Sequence, residues 1–368
     1  MRLGKNYLPC IRWKQGEYLA LEKLSLLARN YIMPLFEVAE IGFDFENRKE
    51  SKSIDEHLNS FAKRVKGKWG TDECFIDLPF ISSTERMMNG DHPVTFIFNN
   101  LRLKGVNALP VVGIKQDMSH RKAIYNTLKI DNRGICIRVS LEEATEPDFN
   151  ENLEKLIHDI NMRPENCDFI LDLKAPPNFE PLIGFANLIE SIVRDIPNLN
   201  SWRSFGILGT SFPTSLSGIK HGISFLPRNE WLLYKELVQN LQNSDLRIPT
   251  FGDYVINHPD VIYMDMRLIK PKANIRYSLD ESWLIARGEN VRDYGLGQHK
   301  ELCNLIIKHP EYYGASFSAA DKYIHECAQG NASTGNLTTW RWVGTNHHLE
   351  LVARDAANFA ASLGIPLQ

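Results

Sequence analysis

The sequence predicts an α/β protein, a TIM-like (β/α)8 barrel over residues 1–262, with a smaller C-terminal α+β extension over 263–368, a β-hairpin and helices packed on the barrel. Three observations lead there. Eight short apolar runs recur, each followed by a longer stretch; strands alternating with helices imply parallel pairing, because a parallel strand is reached only through a crossover connection. The main competitor, an open doubly wound sheet, usually carries a glycine-rich phosphate turn after its first strand, whereas here Lys14-Gln15-Gly16-Glu17 follows, with no G-x-G-x-x-G pattern. The length of 368 residues suits one barrel of about 250 residues plus an extension.

The first run is Leu8-Pro9-Cys10-Ile11-Arg12-Trp13, and Leu19, Leu21, Leu24, Leu27 and Ala28 behind it form a helix-period stripe. Ile32 to Val38 is the second, with a helix around Ile54 to Val65, and Cys74 to Leu78 the third, with helical stretches up to Leu103. Ala108 to Ile114, Gly134 to Val139, Asp168 to Leu173, Arg203 to Leu208 and Ile248 to Tyr254 complete the set. Pro9, Pro34, Pro110 and Pro249 lie at or near strand starts, where a missing N–H is best tolerated. Beyond Tyr254 the pattern changes: Ala273 to Ser278 and Ser282 to Arg287 flank the polar turn Leu279-Asp280-Glu281 as a hairpin. Helices are expected near 298–308, 318–329 and 347–362, the last capped by Thr345 or Asn346.

With 43% hydrophobic and 24% charged residues, the composition is that of a globular chain with a large core, which argues against disorder. A net charge of −3 gives no whole-molecule attraction to nucleic acid or an anionic membrane. No apolar stretch is long enough for a membrane span, and Met1-Arg2-Leu3-Gly4-Lys5 lacks an apolar signal core, so a cytoplasmic protein is expected. The six cysteines include no close pair, which predicts buried thiols, and no H-E-x-x-H or Cys/His set supports zinc.

In such barrels function gathers at the C-terminal ends of the strands. That rule selects Arg12 and Lys14 after the first strand, Glu37 after the second, Asp77 after the third and Lys115 after the fourth. It continues with Arg138, then Asp172 and Lys174, then Thr210 and Ser211, and finally Asp253. Period-two alternation puts Arg12 with Lys14, and Asp172 with Lys174, on one face. The ring has a bland reading, a salt-bridge plug that neutralises itself, and a functional one, a ligand pocket with Glu37, Asp77, Asp172 and Lys174 as catalytic candidates. Glu37, Asp77 and Asp172 suit a divalent ion such as Mg2+ that orients a phosphate ester. Alternatively Arg12, Lys14, Lys115 and Arg138 clamp an anionic ligand while the carboxylates position its hydroxyls. A third version uses two carboxylates as the acid and base of a sugar-processing enzyme.

The loop Gly209 to Gly218 is rich in small polar residues, the chemistry of a barrel phosphate site, with Lys220 and His221 nearby; an ordinary loop has the same composition. Trp340-Arg341-Trp342 and Asn346-His347-His348 concentrate stacking and donor groups, which nominates Arg341 and His347 for ligand contact and the tryptophans for capture of a protein partner. Adjacent helical histidines point about 100° apart, so one metal ion does not take both.

The order of these features resembles the beta protein family of bacterial and phage genomes. The resemblance rests on Leu8 to Glu17, on Met33-Pro34-Leu35-Phe36-Glu37, on Phe251-Gly252-Asp253-Tyr254, and on Phe317-Ser318 with Asp321 through Trp340 to Leu349. It implies a setting, accessory genes of mobile elements and phage conflict, and carries over no catalytic residue. Ala320-Asp321 stands where a Gly-Asp is expected, which leaves the role of Asp321 open. The leading expectation is a barrel mouth that binds a phosphorylated or nucleotide-like ligand, with metal-assisted phosphoester hydrolysis as its reaction. The alternative is a non-catalytic protein-binding module acting through the extension.

Overall fold

The computed structural model describes residues 5–242, 244–261, 265, 268 and 270–364. The expected boundary at 262/263 and the start of the chain, Met1-Arg2-Leu3-Gly4, lie outside the described residues.

Each of the eight apolar runs supplies a strand: β1 (Tyr7–Arg12), β2 (Leu35–Glu37), β3 (Cys74–Asp77), β4 (Ala108–Val112), β5 (Ile135–Ser140), β6 (Cys167–Lys174), β7 (Ser204–Gly209) and β8 (Thr250–Asp253). They pair in parallel in chain order, and β8 closes on β1 from Tyr7↔Phe251 to Pro9↔Asp253. The doubly wound alternative is thereby excluded. Alternation along the strands divides two cores. Leu8, Cys10, Leu35, Phe75, Val111, Cys136, Ile170 and Leu208 fill the barrel interior, while Tyr7, Ile11, Phe36, Ile76, Ile137, Phe169 and Phe251 face the surrounding helices. Six buried free thiols, as expected, serve as small apolar groups. At the closed end of the barrel Arg203 donates to Asp168 from Nη2 at 2.6 Å and from Nε at 3.1 Å. In this fold that end is where stability, not chemistry, is built.

The predicted hairpin forms from strands Lys272–Ser278 and Ser282–Asn290. A third strand, Gly222–Pro227, comes from the connection after β7 and pairs antiparallel with Ser282–Asn290. Helices His299–Ile307 and Ala319–Gln329 cover this sheet around a separate core that includes Ile275, Leu284, Leu302, Ile324 and Trp340.

The last helix departs from expectation. It spans Leu337–Ser362 and is capped by Asn336, whose Oδ1 accepts from the Thr339 N–H at 3.0 Å. Thr345 and Asn346 are not its cap; they lie buried in its middle, where Asn346 accepts from the Ala320 N–H and donates to the Ala20 carbonyl. The C-terminal half of this helix returns to the barrel: Leu349, Val352, Ala353 and Ala356 join the barrel's outer core, and Phe359 packs on Trp231 with ring centroids 5.6 Å apart. It fills the position of the eighth barrel helix, so the extension is an excursion between β8 and that helix rather than an appendage.

Candidate functional site

The C-terminal ends of β2 to β6 surround an open cavity of about 540 Å³. Its floor is built on one side chain. Arg138, inward-facing on β5, donates from Nη1 to Glu37 Oε1 at 2.9 Å and to Asp77 Oδ2 at 2.7 Å. From Nε it donates to Asp172 Oδ2 at 2.9 Å, and from Nη2 to the Tyr254 hydroxyl at 2.7 Å. The Tyr254 O–H in turn donates to Asp172 Oδ2 at 2.7 Å. Glu37, Asp77 and Asp172 are all buried. Burial works against the charge of Arg138, but Tyr254, Asp172 and Glu37 overcome it and hold the guanidinium firmly protonated. For Glu37, burial outweighs the pull of Arg138 and, with Asp77 beside it, raises the carboxyl above its ordinary range.

Arg12 flanks this cluster. Its Nε lies 3.7 Å from Glu37 Oε2, it donates to the Pro259 carbonyl, and its guanidinium covers the Phe80 ring at 4.4 Å. Two cations therefore face three carboxylates. Among the described residues, Glu37 Oε2 and Asp77 Oδ1 take no hydrogen bond, so each has acceptor capacity to offer a ligand.

The rim is built from exposed pairs. Lys115 reaches Glu146 at 2.7 Å and Lys174 reaches Glu142 at 3.4 Å, while Gln116, Ser140 and Glu143 line the wall. Lys174 has φ +54° and follows a register irregularity against β7; its N–H is held by Asp172 Oδ1 at 2.8 Å. The irregularity breaks the expected alternation, and Lys174 sits on the rim instead of beside Asp172 on the floor.

Glu37, Asp77, Lys115, Arg138, Asp172 and Lys174 thus meet at one mouth, with Arg12 at its edge. Lys14 does not join them: β1 ends at Arg12, and Lys14 turns outward to Glu40. Asp253 also points away. Along β8, Phe251 and Asp253 face outward and Tyr254 faces inward, so Tyr254 occupies the place expected of Asp253. The signal was in the alternation, one residue past the end of the strand. Val255 follows with φ +59°, a left-handed conformation costly for a β-branched residue.

Thr210 and Ser211 are corrected as well. Thr210 is fully buried and its hydroxyl accepts from the Phe212 N–H at 3.0 Å; Ser211 donates to Glu230 at 2.7 Å. Phe212 and Leu216 anchor the loop under Trp283 and Ile285, and the Thr210 and Ser211 hydroxyls are spent on folding it. Burial pushes the Glu230 carboxyl up to about 7.

Arg341 lies outside the cavity, between Glu17 at 3.7 Å and Asn257. His347 is sealed: Nδ1 meets Asp321 Oδ2 at 2.8 Å, Nε2 meets the Ser278 carbonyl at 2.8 Å, and its ring stacks on Tyr277 at 3.8 Å. Trp340 is core, stacked on His299 at 4.7 Å, and Trp342 packs against Tyr323. Trp340 is thereby buried and Trp342 half-buried.

Among the described residues no group of three or more His, Cys, Asp or Glu is arranged to hold a metal ion. The carboxylates suited to Mg2+ instead converge on Arg138, whose guanidinium takes the place of a cation. No helix among the described residues is long and apolar enough to cross a membrane.

The profile of a family described as Beta protein matches residues 7–354, nearly the whole chain. Comparison with curated proteins gives no match. Among solved structures, triosephosphate isomerase from Bartonella henselae is similar over 67% of this chain and 91% of that one, at 9% identity and a TM-score of 0.34.

Proposed function

The chain belongs to the Beta protein family, and we propose that its barrel mouth binds a small hydroxylated phosphate compound, a sugar phosphate or a nucleotide, with Glu37 as the proton-transferring group. The observation that carries this reading is the floor: three buried carboxylates share Arg138, with one oxygen each of Glu37 and Asp77 left to accept from ligand hydroxyls. A plug that only neutralised itself needs no cavity above it, and this one opens into about 540 Å³.

The two ends of the ligand are assigned by charge. The carboxylate excess repels an anion from the floor and favours hydroxyl donors there. On the rim, Lys115 and Lys174 are held only in exposed pairs, which solvent screens and which exchange readily for a phosphate. A carboxyl raised above its ordinary range by burial is suited to giving and taking a proton. Acid–base chemistry at Glu37 is therefore favoured over the metal-assisted version, because Arg138 already occupies the carboxylates. We place the activity in mobile elements and phage conflict, the setting that the resemblance stated from the sequence implies.

Titration of the full chain with ribose 5-phosphate and with adenosine monophosphate, followed by calorimetry and by thermal unfolding, tests the reading. Binding of either compound is expected, lost in Asp77→Asn and weakened about tenfold in the double variant Lys115→Ala with Lys174→Ala. Absence of binding by both at millimolar concentration, or binding unchanged in Asp77→Asn, overturns it.

A further inference from the structure

Asp253 and Tyr254 are neighbours in sequence that face opposite sides of the barrel wall. On the outer side Asp253 Oδ1 accepts from the Tyr7 hydroxyl at 2.5 Å and from the Val255 N–H at 2.8 Å. Asp253 Oδ2 meets His348 Nε2 at 2.9 Å, and His348 Nδ1 meets Ser278 Oγ at 2.7 Å. Asp253 is held ionised: burial opposes its charge, but His348 and Arg228 win and lower its carboxyl. Burial in turn draws the His348 imidazole below its ordinary range, against the opposing pull of Asp253. Facing a carboxylate, Nε2 carries the proton and donates it to Asp253, while Nδ1 and the Ser278 hydroxyl share a hydrogen bond.

Ser278, His348 and Asp253 have the composition of a hydrolytic triad, yet each is fully buried. No substrate reaches the hydroxyl, so the arrangement is a rod and not a nucleophile. Its far end is the turn at Val255, whose left-handed backbone is held in place by Asp253. Between Asp253 and Val255 stands Tyr254, whose hydroxyl bridges Asp172 and Arg138 on the cavity floor.

We propose that His348 is a positioning residue for the mouth: through Asp253 it fixes the turn that aims Tyr254 at Asp172 and Arg138, so that the extension sets the geometry of the cavity floor. A purely structural staple predicts only that loss of His348 loosens the extension. Positioning predicts that Tyr254 moves. The significance of this coupling rests on the mouth being the ligand site proposed above, but it is measurable without a ligand.

The full chain labelled with 3-fluorotyrosine gives a fluorine resonance for Tyr254, assigned by its loss in Tyr254→Phe. His348→Leu is expected to shift or broaden that resonance. His348→Gln, which keeps a donor near the Nε2 position, is expected to restore it, and Trp340→Phe, which disturbs the extension core away from the rod, to leave it in place. A Tyr254 resonance unmoved in His348→Leu while that of Tyr7 moves overturns the proposal. Should His348→Leu fail to fold, Ser278→Ala decides: a shift of the Tyr254 resonance is expected, and none overturns it. If ribose 5-phosphate binds, its affinity is expected to fall about tenfold in His348→Leu and to be kept in His348→Gln. If neither ribose 5-phosphate nor adenosine monophosphate binds the parent, the ligand reading fails and the tyrosine resonance still decides the coupling.

Discussion

Arg138 holds together four groups that repel one another or starve for partners without it. Glu37, Asp77 and Asp172 converge on its guanidinium within 2.9 Å, and all three are buried. Arg138→Ala is therefore expected to cost roughly 3–5 kcal/mol in urea unfolding, because it strands buried carboxylates rather than deleting a surface pair. Arg138→Lys is expected to recover only part, since one ammonium cannot serve the directions that the planar fork serves at once. The floor was legible at this scale because alternation is rigid inside a strand: Cys10 and Arg12, Leu35 and Glu37, Phe75 and Asp77, Cys136 and Arg138 share faces by spacing alone. It ceased to be legible where strands end. Lys14 lies past the last residue of β1, Lys174 past a register irregularity, and Tyr254 past the last residue of β8, so a parity rule misassigned the first two and overlooked the third.

Between elements, close approach of backbones decides what glycine does. Gly344 lies in the long C-terminal helix, where an added Cβ would stand 2.8 Å from Ile256 Cδ1 and 3.0 Å from the Arg276 carbonyl oxygen. The isoleucine end can swing aside; the carbonyl belongs to the sheet and cannot. Gly344→Ala is expected to destabilise by about 1–3 kcal/mol through overpacking, despite the better helix propensity of alanine. Gly67, in helix Phe61–Lys68, meets nothing within 4 Å, so Gly67→Ala is expected to stabilise by about 0.5–1 kcal/mol. Opposite shifts in thermal midpoint from the same substitution are the check. The long helix was only half read from sequence because Thr345-Asn346 has the composition of a cap, and what contradicts a cap, burial against Ala20 and Ala320, is tertiary. Strand Gly222–Pro227 was missed for a related reason: its partner lies some sixty residues later, at Ser282–Asn290, and nothing local marks the pairing.

For the whole molecule, closure was the most legible feature, since eight repeated units leave a parallel sheet no better way to satisfy its edges. The response to acid follows from histidines that sequence could not place. His92 and His120 pack ring to ring at 5.2 Å on adjacent barrel helices, and burial lowers each to about 4, with His120 and Arg86 adding to the effect on His92. In the unfolded chain both bind protons near pH 6.5. Between pH 6.5 and 4 the unfolded state therefore holds more protons than the folded one, and stability falls as the pH is lowered through that window. Below pH 4 the ionised Asp253 and Asp321, both held low despite burial because they face His348 and His347, begin to lose their charge, and the contribution they make above that pH is lost too. Urea unfolding across pH 4–7 is expected to show this slope, and the double variant His92→Gln with His120→Gln to flatten it by up to about two protons. An unchanged slope in that variant would move the origin of acid sensitivity away from this histidine pair and onto His348, which burial also lowers.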